Sequence, residues 1–259
     1  DITMWINSAK VGYDGDVSEN NNASSDTIYV TPAAPRVISP ITYCQGDVAS
    51  PLTATGDNLL WYTSSTGGTG SPDAPTPQTA TAGTTTYYVS QTRNNCESPR
   101  AGIEVIVYAI PEAPTVISPI TYCQGDAASP LTATGDNLLW YTSSTGGTGS
   151  SNAPTPQTAT AGTTTYYVSQ TRNNCESPRA GIEVIVYAIP EAPTVISPIT
   201  YCQGDAASPL TATGDNLLWY TTSTGGTGSP NAPTPQTATA GTTTYYVSQT
   251  RNNCESPRA

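Results

Sequence analysis

Hydrophobic residues in this chain occur in short runs that alternate with polar residues and end at glycine, proline or asparagine. Along Ile103–Ala109, for example, Ile103, Val105 and Val107 share one face of an extended segment, as in a half-buried strand. No segment shows the 3.6-residue period of an amphipathic helix. The pattern predicts these strands in the first copy of a repeated unit: Val37–Ser39, Leu52–Thr55, Leu59–Thr63, Thr85–Thr92 and Ile103–Ala109. Many short strands with frequent turns predict an all-β sandwich.

The sequence that begins at Tyr43 returns at Tyr122 and Tyr201, in each case 79 residues later. A fixed period of this size indicates an array of like modules. Proline-rich linkers such as Ile110–Pro114 restrict the backbone between modules, so we expect semi-rigid connections and a rod. The predicted domains are residues 1–34, the last strands of a preceding divergent module plus a linker; repeats at residues 35–110 and 114–189; and a third repeat at residues 193–259 that lacks its final strand.

The two ends of the chain resemble parts of a repeat. Ile2–Lys10 and Asp26–Pro40 align with the last two strands and the linker of a repeat, whereas the third repeat stops at Ala259 before its last strand. We favour a segment of a longer array. The alternative is a complete subunit whose open groove accepts a strand from the next molecule, Ile2–Asn7 or Thr27–Thr31, to form a fibre.

Each repeat contains two cysteines, and the sequence contains no histidine. Two cysteines alone cannot supply the four ligands of a structural zinc site. A disulfide within each repeat is the simpler interpretation, and it places the protein in an oxidising compartment outside the cytosol. Such a bridge closes a loop of about 53 residues, worth roughly 4 kcal/mol of stability on the chain-entropy model. The predicted pairs are Cys44–Cys96, Cys123–Cys175 and Cys202–Cys254.

The charge and the inventory of reactive side chains exclude several function classes. A net charge of −11 argues against binding to nucleic acids or anionic membranes, and no apolar run approaches the length of a membrane span. An enzyme is not expected, because histidine is absent and Lys10 is the single lysine. Asp73 is replaced by Asn152 and Asn231 in the other repeats, so it carries no chemistry common to all of them. No cofactor is expected.

Two further patterns have a structural and a functional interpretation. Asp14, Asp16 and Ser18 place oxygen atoms at alternate positions, as in a calcium loop, although a solvated hairpin loop is the favoured interpretation. Trp61 and its copies could stack on sugars, but the alternation with Leu59 favours a buried core position.

Tyr88, Ile106 and Tyr108 form a third candidate site. They point away from the predicted core on neighbouring strands and recur in the array, so they could form a contact stripe. Cross-strand packing on a partly exposed face is the favoured interpretation.

Three motifs carry a resemblance to a known family: Leu59–Tyr62 (LLWY), Thr84–Val89 (TTTYYV) and Asn94–Ser98 (NNCES). With these motifs, residues 35–259 resemble the immunoglobulin-like repeats of very large Bacteroidota surface proteins, including gliding-motility adhesins and other type IX secretion cargo. The resemblance implies tandem immunoglobulin-like sandwiches at the bacterial cell surface or in a surface filament. It also implies a candidate O-glycosylation site at Thr27, within Asp26-Thr27-Ile28.

These observations predict a structural shaft of an extracellular adhesin or filament, which holds a distal binding element away from the cell. The first alternative is an array that binds carbohydrate or protein through many weak sites. The second is a set of spacer modules of a secreted enzyme. Expected partners are neighbouring modules or other copies of the chain, together with surface glycans if the array binds carbohydrate.

Overall fold

The computed structural model describes residues 6–10, 23–27 and 31–259, and the regular structure within them consists of β-strands. The first strands form an antiparallel pair, β1 (Ile6–Lys10) and β2 (Ala23–Thr27). The first repeat contains β3 (Arg36–Val37), β4 (Ile41–Cys44), β5 (Ala54–Thr55), β6 (Leu59–Tyr62), β7 (Gly83–Arg93), β8 (Cys96–Glu97) and β9 (Ala101–Tyr108).

The second and third repeats follow the same order. The second contains β10 (Thr115–Val116), β11 (Ile120–Cys123), β12 (Ala133–Thr134), β13 (Leu139–Tyr141), β14 (Gly162–Ser169), β15 (Thr171–Arg172), β16 (Cys175–Glu176) and β17 (Ala180–Tyr187). The third contains β18 (Thr194–Val195), β19 (Ala212–Thr213), β20 (Leu218–Tyr220), β21 (Tyr246–Ser248), β22 (Thr250–Arg251) and β23 (Cys254–Glu255).

The chain divides into two compact units. One contains the residues up to Pro111 together with Asn173–Cys175, and the other contains Glu112–Arg172 and Glu176–Ala259. The first repeat lies in the first unit, and the third repeat lies wholly in the second.

Each complete repeat is a two-layered sandwich. In the first repeat the larger sheet has the order β4-β9-β7-β6, with β8 paired to β7, and the smaller layer is the antiparallel pair β3–β5. β9 is antiparallel to β7 but parallel to β4, so Ile41 lies opposite Val105 and Cys44 lies opposite Tyr108. The parallel pairing of β4 was not predicted, whereas the all-β sandwich is confirmed.

The core lies between these two layers. Val89 and Ile103 are fully buried, and Leu52, Trp61, Val105 and Val107 complete the buried cluster. The alternation of Ile103, Val105 and Val107 therefore marks the core face, as predicted. Trp61 is 5% exposed, so it is a core residue and not a surface for stacking on sugars.

The sequence ends in the third repeat at Ala259, the position equivalent to Ala101 at the start of β9. The segment Ile199–Cys202 of this repeat, which matches β4, forms no strand, and β21 contains only three residues, against eight in β14. Both changes follow from the missing neighbour, because β9 pairs on one side with β4 and on the other with β7.

Candidate functional site at the junction of two repeats

The two cysteines of one repeat lie at opposite ends of its larger sheet. Cys44 lies opposite Tyr108, the last residue of β9, whereas Cys96 pairs with Arg93 beyond the end at which β9 begins. The seven steps from Ala101 to Tyr108 span about 23 Å at roughly 3.3 Å per residue. A disulfide requires the two Cα atoms to lie within about 7 Å. A bridge inside one repeat is therefore geometrically impossible in this fold.

The observed disulfides link the first cysteine of one repeat to the second cysteine of the next. Cys44 is bonded to Cys175, and Cys123 is bonded to Cys254, with a sequence separation of 131 and a Cα–Cα distance of 5.5 Å in both cases. The predicted pairs Cys44–Cys96, Cys123–Cys175 and Cys202–Cys254 are thus wrong. Within residues 31–259, Cys96 and Cys202 are the cysteines without a disulfide.

The second unit shows why the two cysteines of one bridge meet. Cys123 lies opposite Tyr187, the last residue of β17, immediately before the linker to the third repeat. At the other side of this linker, the side-chain amide of Gln249 donates to the carbonyl oxygen of Glu191 at 2.7 Å. Gln249 directly precedes β22, which pairs with the strand that begins at Cys254. Both cysteines therefore lie beside the same linker.

Hydrogen bonds from backbone and side-chain groups hold the turn that follows Cys123. The amide of Cys123 donates to Oδ2 of Asp126 at 2.8 Å, and the amide of Gly125 donates to the carbonyl oxygen of Thr158 at 2.9 Å. The hydroxyl of Thr158 then donates to the carbonyl oxygen of Asp126 at 2.6 Å. Gly125 has a φ of 88°, which favours glycine. This turn fixes the backbone next to the sulfur of Cys123.

Cys254 is presented by a tight hairpin between β22 and β23. Its turn residues Asn252 and Asn253 have φ angles of 50° and 62°, a left-handed conformation that asparagine tolerates better than most residues. The guanidinium of Arg251 donates to Oδ2 of Asp215 at 2.5 Å, and the amide of Thr250 donates to the carbonyl oxygen of Asp215 at 3.0 Å. These contacts fix the hairpin to the turn between β19 and β20, which contains Asp215.

Glu255, the residue after Cys254, attaches the same hairpin to the larger sheet. Its Oε1 accepts hydrogen bonds from the hydroxyls of Ser248 and Tyr220, each at 2.6 Å. The guanidinium of Arg258 lies 3.3 Å above the centre of the Tyr220 ring. The hydrogen bonds from Ser248 and Tyr220, assisted by the charge of Arg258, hold the pKa of Glu255 below its ordinary value. Burial partly opposes this shift.

The same network occurs in the other two repeats. Glu97 and Glu176 accept the corresponding hydrogen bonds, and the pKa of each carboxyl is lowered, first by the serine hydroxyl and then by the tyrosine. In each repeat, the glutamate that follows the second cysteine therefore supports the backbone that carries the sulfur.

Bridge formation coincides with burial of the second cysteine. Cys175 and Cys254 are each 1% exposed, whereas Cys96, the equivalent residue without a disulfide, is half-buried. The first cysteine shows the same trend, because Cys44 and Cys123 are half-buried and Cys202 is exposed. For the second cysteine the local sequence is the same in all three repeats, so the burial of Cys175 and Cys254 accompanies their bridges; Cys202 in addition lies in a segment that forms no strand.

The structure separates the residues of the predicted contact stripe. Tyr88 lies opposite Gly102, whereas Ile106 lies opposite Thr84, four residues away along β7. This spacing corresponds to about 13 Å. Tyr88, Ile106 and Tyr108 are each half-buried on the face turned away from the core. They therefore form two separate groups on one face, and their binding role stays a prediction.

Two other predicted sites cannot be placed in the same way. The calcium candidate Asp14, Asp16 and Ser18 lies outside the described residues. Thr27, the candidate for O-glycosylation, is the last residue of β2. Over the described part of the chain, no three histidine, cysteine, aspartate or glutamate side chains cluster as metal ligands would. Nor does this part contain a helix that is long and apolar enough to cross a membrane.

Two parts of this site were missed from the sequence. The glutamate network left no sequence signal beyond its repetition, because the tyrosine lies 35 residues before the glutamate and the serine lies seven residues before it on another strand. The sequence signal for the disulfides was ambiguous, because pairing within a repeat and pairing between repeats obey the same 79-residue period. The strand directions decide between them.

Comparison with known proteins identifies the type of module. The family model described as Ig-like domain CHU_C associated matches residues 32–108, 111–187 and 190–259. No curated protein matches the chain.

Solved structures that are weakly similar to this chain include the following three. Extracellular domains 3–5 of Drosophila OTK are 11% identical, with a TM-score of 0.32 and coverage of 89% of this chain and 97% of that one. Immunoglobulin domains 1–4 of Sidekick-1 are 13% identical, with a TM-score of 0.26 and coverage of 92% and 76%. Human protocadherin-24 EC1-2 is 12% identical, with a TM-score of 0.24 and coverage of 61% and 100%. TM-scores this low carry no argument about function.

The family match spans most of the chain, and it agrees with the sandwich observed in each complete repeat. Families of tandem immunoglobulin-like domains are in general structural modules, and disulfides are typical of proteins in oxidising compartments, which together suggest an extracellular or surface protein. The chain belongs to the family described as Ig-like domain CHU_C associated, with three copies in tandem.

Proposed function

We propose that this chain is part of the structural shaft of an extracellular bacterial surface protein, an adhesin or filament that presents a binding element at a distance from the cell. The observation that supports this proposal most directly is the Cys123–Cys254 disulfide. It gives the junction between the second and third repeats a second covalent connection in addition to the linker.

A junction with two covalent connections resists separation better than a junction with one. The linker Ile189–Pro193 contains two prolines, each of which fixes one backbone dihedral. The disulfide joins Cys123, beside the start of this linker, to Cys254 in the hairpin beside its end. Bending about the linker would have to stretch or distort this bridge. A shaft gains stiffness from such an arrangement, whereas an enzyme or a flexible tether has no need of it.

Small-angle X-ray scattering tests the shaft. Three repeats in line, each about 30 Å across, would give a particle on the order of 90–100 Å long with a radius of gyration near 28 Å, whereas a compact globule of this length would have about 18 Å. We expect the longer value for the oxidised chain and a broader distance distribution for the Cys123→Ser/Cys254→Ser variant. The control variant Cys96→Ser/Cys202→Ser keeps both bridges and should match the unaltered chain. A radius of gyration near 18 Å would refute the shaft.

The binding array is the second candidate, with surface glycans or other copies of the chain as partners. The observation that favours it is that two groups of partly exposed residues lie on the face turned away from the core. One group is Tyr88, and the other is Ile106 with Tyr108. Binding of the chain to surface polysaccharide, lost when Tyr88 and its copies Tyr167 and Tyr246 are replaced by serine, would support this function. Spacer modules of a secreted enzyme would show no such binding and would be recognised from an adjacent catalytic domain.

A further inference from the structure

The second repeat and the linker that follows it contain two segments that are accessible to a protease. The first is the linker itself: residues 188–193 separate β17 from β18, and Ile189, Glu191 and Ala192 are exposed. The second is the long loop inside the repeat, where residues 142–161 separate β13 from β14 and residues 142–148 are all exposed. Proteolysis is concentrated at exposed segments of this kind, with small and polar side chains. One segment lies between repeats, whereas the other lies between the two cysteines of one repeat.

The observed bridges span both kinds of segment. Cys123–Cys254 spans the linker at residues 188–193, and Cys44–Cys175 spans the equivalent linker at residues 109–114. The long loop of the second repeat lies inside both bridged intervals. Because the two intervals overlap, one backbone cut at any position between Cys44 and Cys254 leaves the two parts joined by at least one disulfide. Bridges within repeats would have spanned the loop and left both linkers unspanned.

The bridge to the third repeat does not depend on an intact linker. Cys254 is 1% exposed, so an external thiol has little access to its sulfur, and thiol–disulfide exchange depends on such access. The hairpin that carries Cys254 is held by the contacts of Arg251 with Asp215 and of Glu255 with Tyr220. These contacts lie within the third repeat, so a cut in the linker removes none of them.

We propose that the bridges between repeats make the array tolerant of proteolysis: an extracellular endopeptidase can cut both linkers, and the repeats remain one covalent chain. Each cut breaks one peptide C–N bond and adds one water, and it leaves every disulfide unchanged. After both cuts, Cys44–Cys175 joins the first repeat to the second, and Cys123–Cys254 joins the second to the third. Tension along the array is then carried by the two bridges and by the backbone between Cys123 and Cys175. This function goes beyond the shaft, because it concerns attachment after cleavage and not stiffness.

Cleavage at defined positions tests this proposal in the 259-residue chain. Residues 109–112 and 188–191 are each replaced by Ile-Glu-Gly-Arg, the recognition sequence of factor Xa, which keeps both linkers at their present length. After complete cleavage, thiol blocking and denaturation, intact mass spectrometry without reductant should find one species, the uncut chain plus two waters. After reduction, the same sample should give three fragments, residues 1–112, 113–191 and 192–259.

Serine variants of this doubly cleavable chain provide the matched controls. Cys254→Ser removes the bridge to the third repeat, so it should release residues 192–259 without reductant. Cys202→Ser makes the same change in the same repeat at a cysteine without a bridge, so all three fragments should stay joined. If Cys254→Ser fails to fold, Cys123→Ser removes the same bridge from the other side and should release the same fragment. Release of residues 192–259 from Cys202→Ser, or from the chain with all six cysteines, would overturn the proposal.

Attachment under load tests the function itself. The doubly cleavable chain is anchored to a surface by its first residue and to a magnetic bead by its last, and factor Xa is added at constant force. We expect beads to stay attached until a reductant is added, and beads on the Cys254→Ser variant to detach on cleavage alone. Detachment of both proteins on cleavage would contradict the proposal.

These outcomes are distinct from those of the scattering test. A compact chain would refute the shaft and leave attachment after cleavage unchanged. Loss of attachment after cleavage would leave the stiffness of an uncut shaft unchanged.

Discussion

Removal of one disulfide is expected to lengthen the unfolded chain by an amount that the bridge positions determine. With both bridges intact, the shortest covalent path from Cys44 to Cys254 crosses to Cys175, runs back to Cys123 and crosses again. This path spans the 52 residue steps from Cys123 to Cys175, or about 180 Å at roughly 3.5 Å per step. In Cys254→Ser the path crosses once and contains the 79 residues from Cys175 to position 254, about 280 Å. Full reduction releases all 210 residues, about 740 Å.

Single-molecule force spectroscopy with the chain tethered at its two ends measures these lengths. The residues outside Cys44 and Cys254 contribute equally to every variant, so differences between variants report the bridges alone. We expect Cys254→Ser to add about 95 Å to the fully unfolded chain, and reduction to add about 560 Å.

The variant Cys96→Ser/Cys202→Ser separates the two pairing patterns. It leaves both observed bridges intact, so its unfolded length should equal that of the unaltered chain. If the bridges closed within repeats, this variant would keep only Cys123–Cys175 and would contain 158 residues, or about 550 Å, between positions 44 and 254. A length of about 550 Å between these positions in this variant would refute the inter-repeat connection.

Two further predictions concern the support of the bridge. Hydrogen bonds, chiefly from Ser248, lower the folded-state pKa of Glu255. Their contribution to stability should therefore be complete above about pH 4.5 and lost as the pH falls through that folded pKa. Thermal unfolding of Glu255→Gln should depend less on pH below 4.5 than that of the unaltered chain. A Cβ at Gly228 would lie 2.6 Å from the Tyr220 hydroxyl oxygen, whereas one at Gly241 would meet nothing within 4 Å. Gly228→Ala should therefore destabilise the third repeat by about 1–3 kcal/mol, and Gly241→Ala by less than about 0.5 kcal/mol, as measured by hydrogen exchange.

Much of the fold could be predicted because side-chain alternation is a local property. Ile103, Val105 and Val107 mark a core face by themselves, and Trp61 follows Leu59 with the same period. The strand β4 could not be found in this way. Its four residues Ile41–Cys44 are too few to show a period, and they are a strand because β9 offers them a parallel edge. The third repeat supports this explanation, because the same sequence without that edge forms no strand.

The disulfides could not be predicted for a different reason. Spacing along the chain does not contain the direction of the strands, and in this fold direction decides which cysteines meet. Cys44 is the last residue of β4, which runs parallel to β9 and therefore ends where the chain leaves the repeat. Cys96 lies beyond the opposite end of the sheet. To predict the disulfides from the sequence, one would first have to know that β4 pairs in parallel with β9.

The number of free thiols offers a last test of this connection. When each bridge joins the first cysteine of one repeat to the second cysteine of the next, an array of n repeats has n − 1 bridges and always two free thiols. The present chain has two, Cys96 and Cys202. A variant that lacks one whole 79-residue period should still have two, because the new neighbours restore one bridge across their junction. Titration of the denatured, unreduced protein with a thiol reagent counts them. Bridges within repeats would give no free thiol in either protein, and that result would exclude the observed pairing.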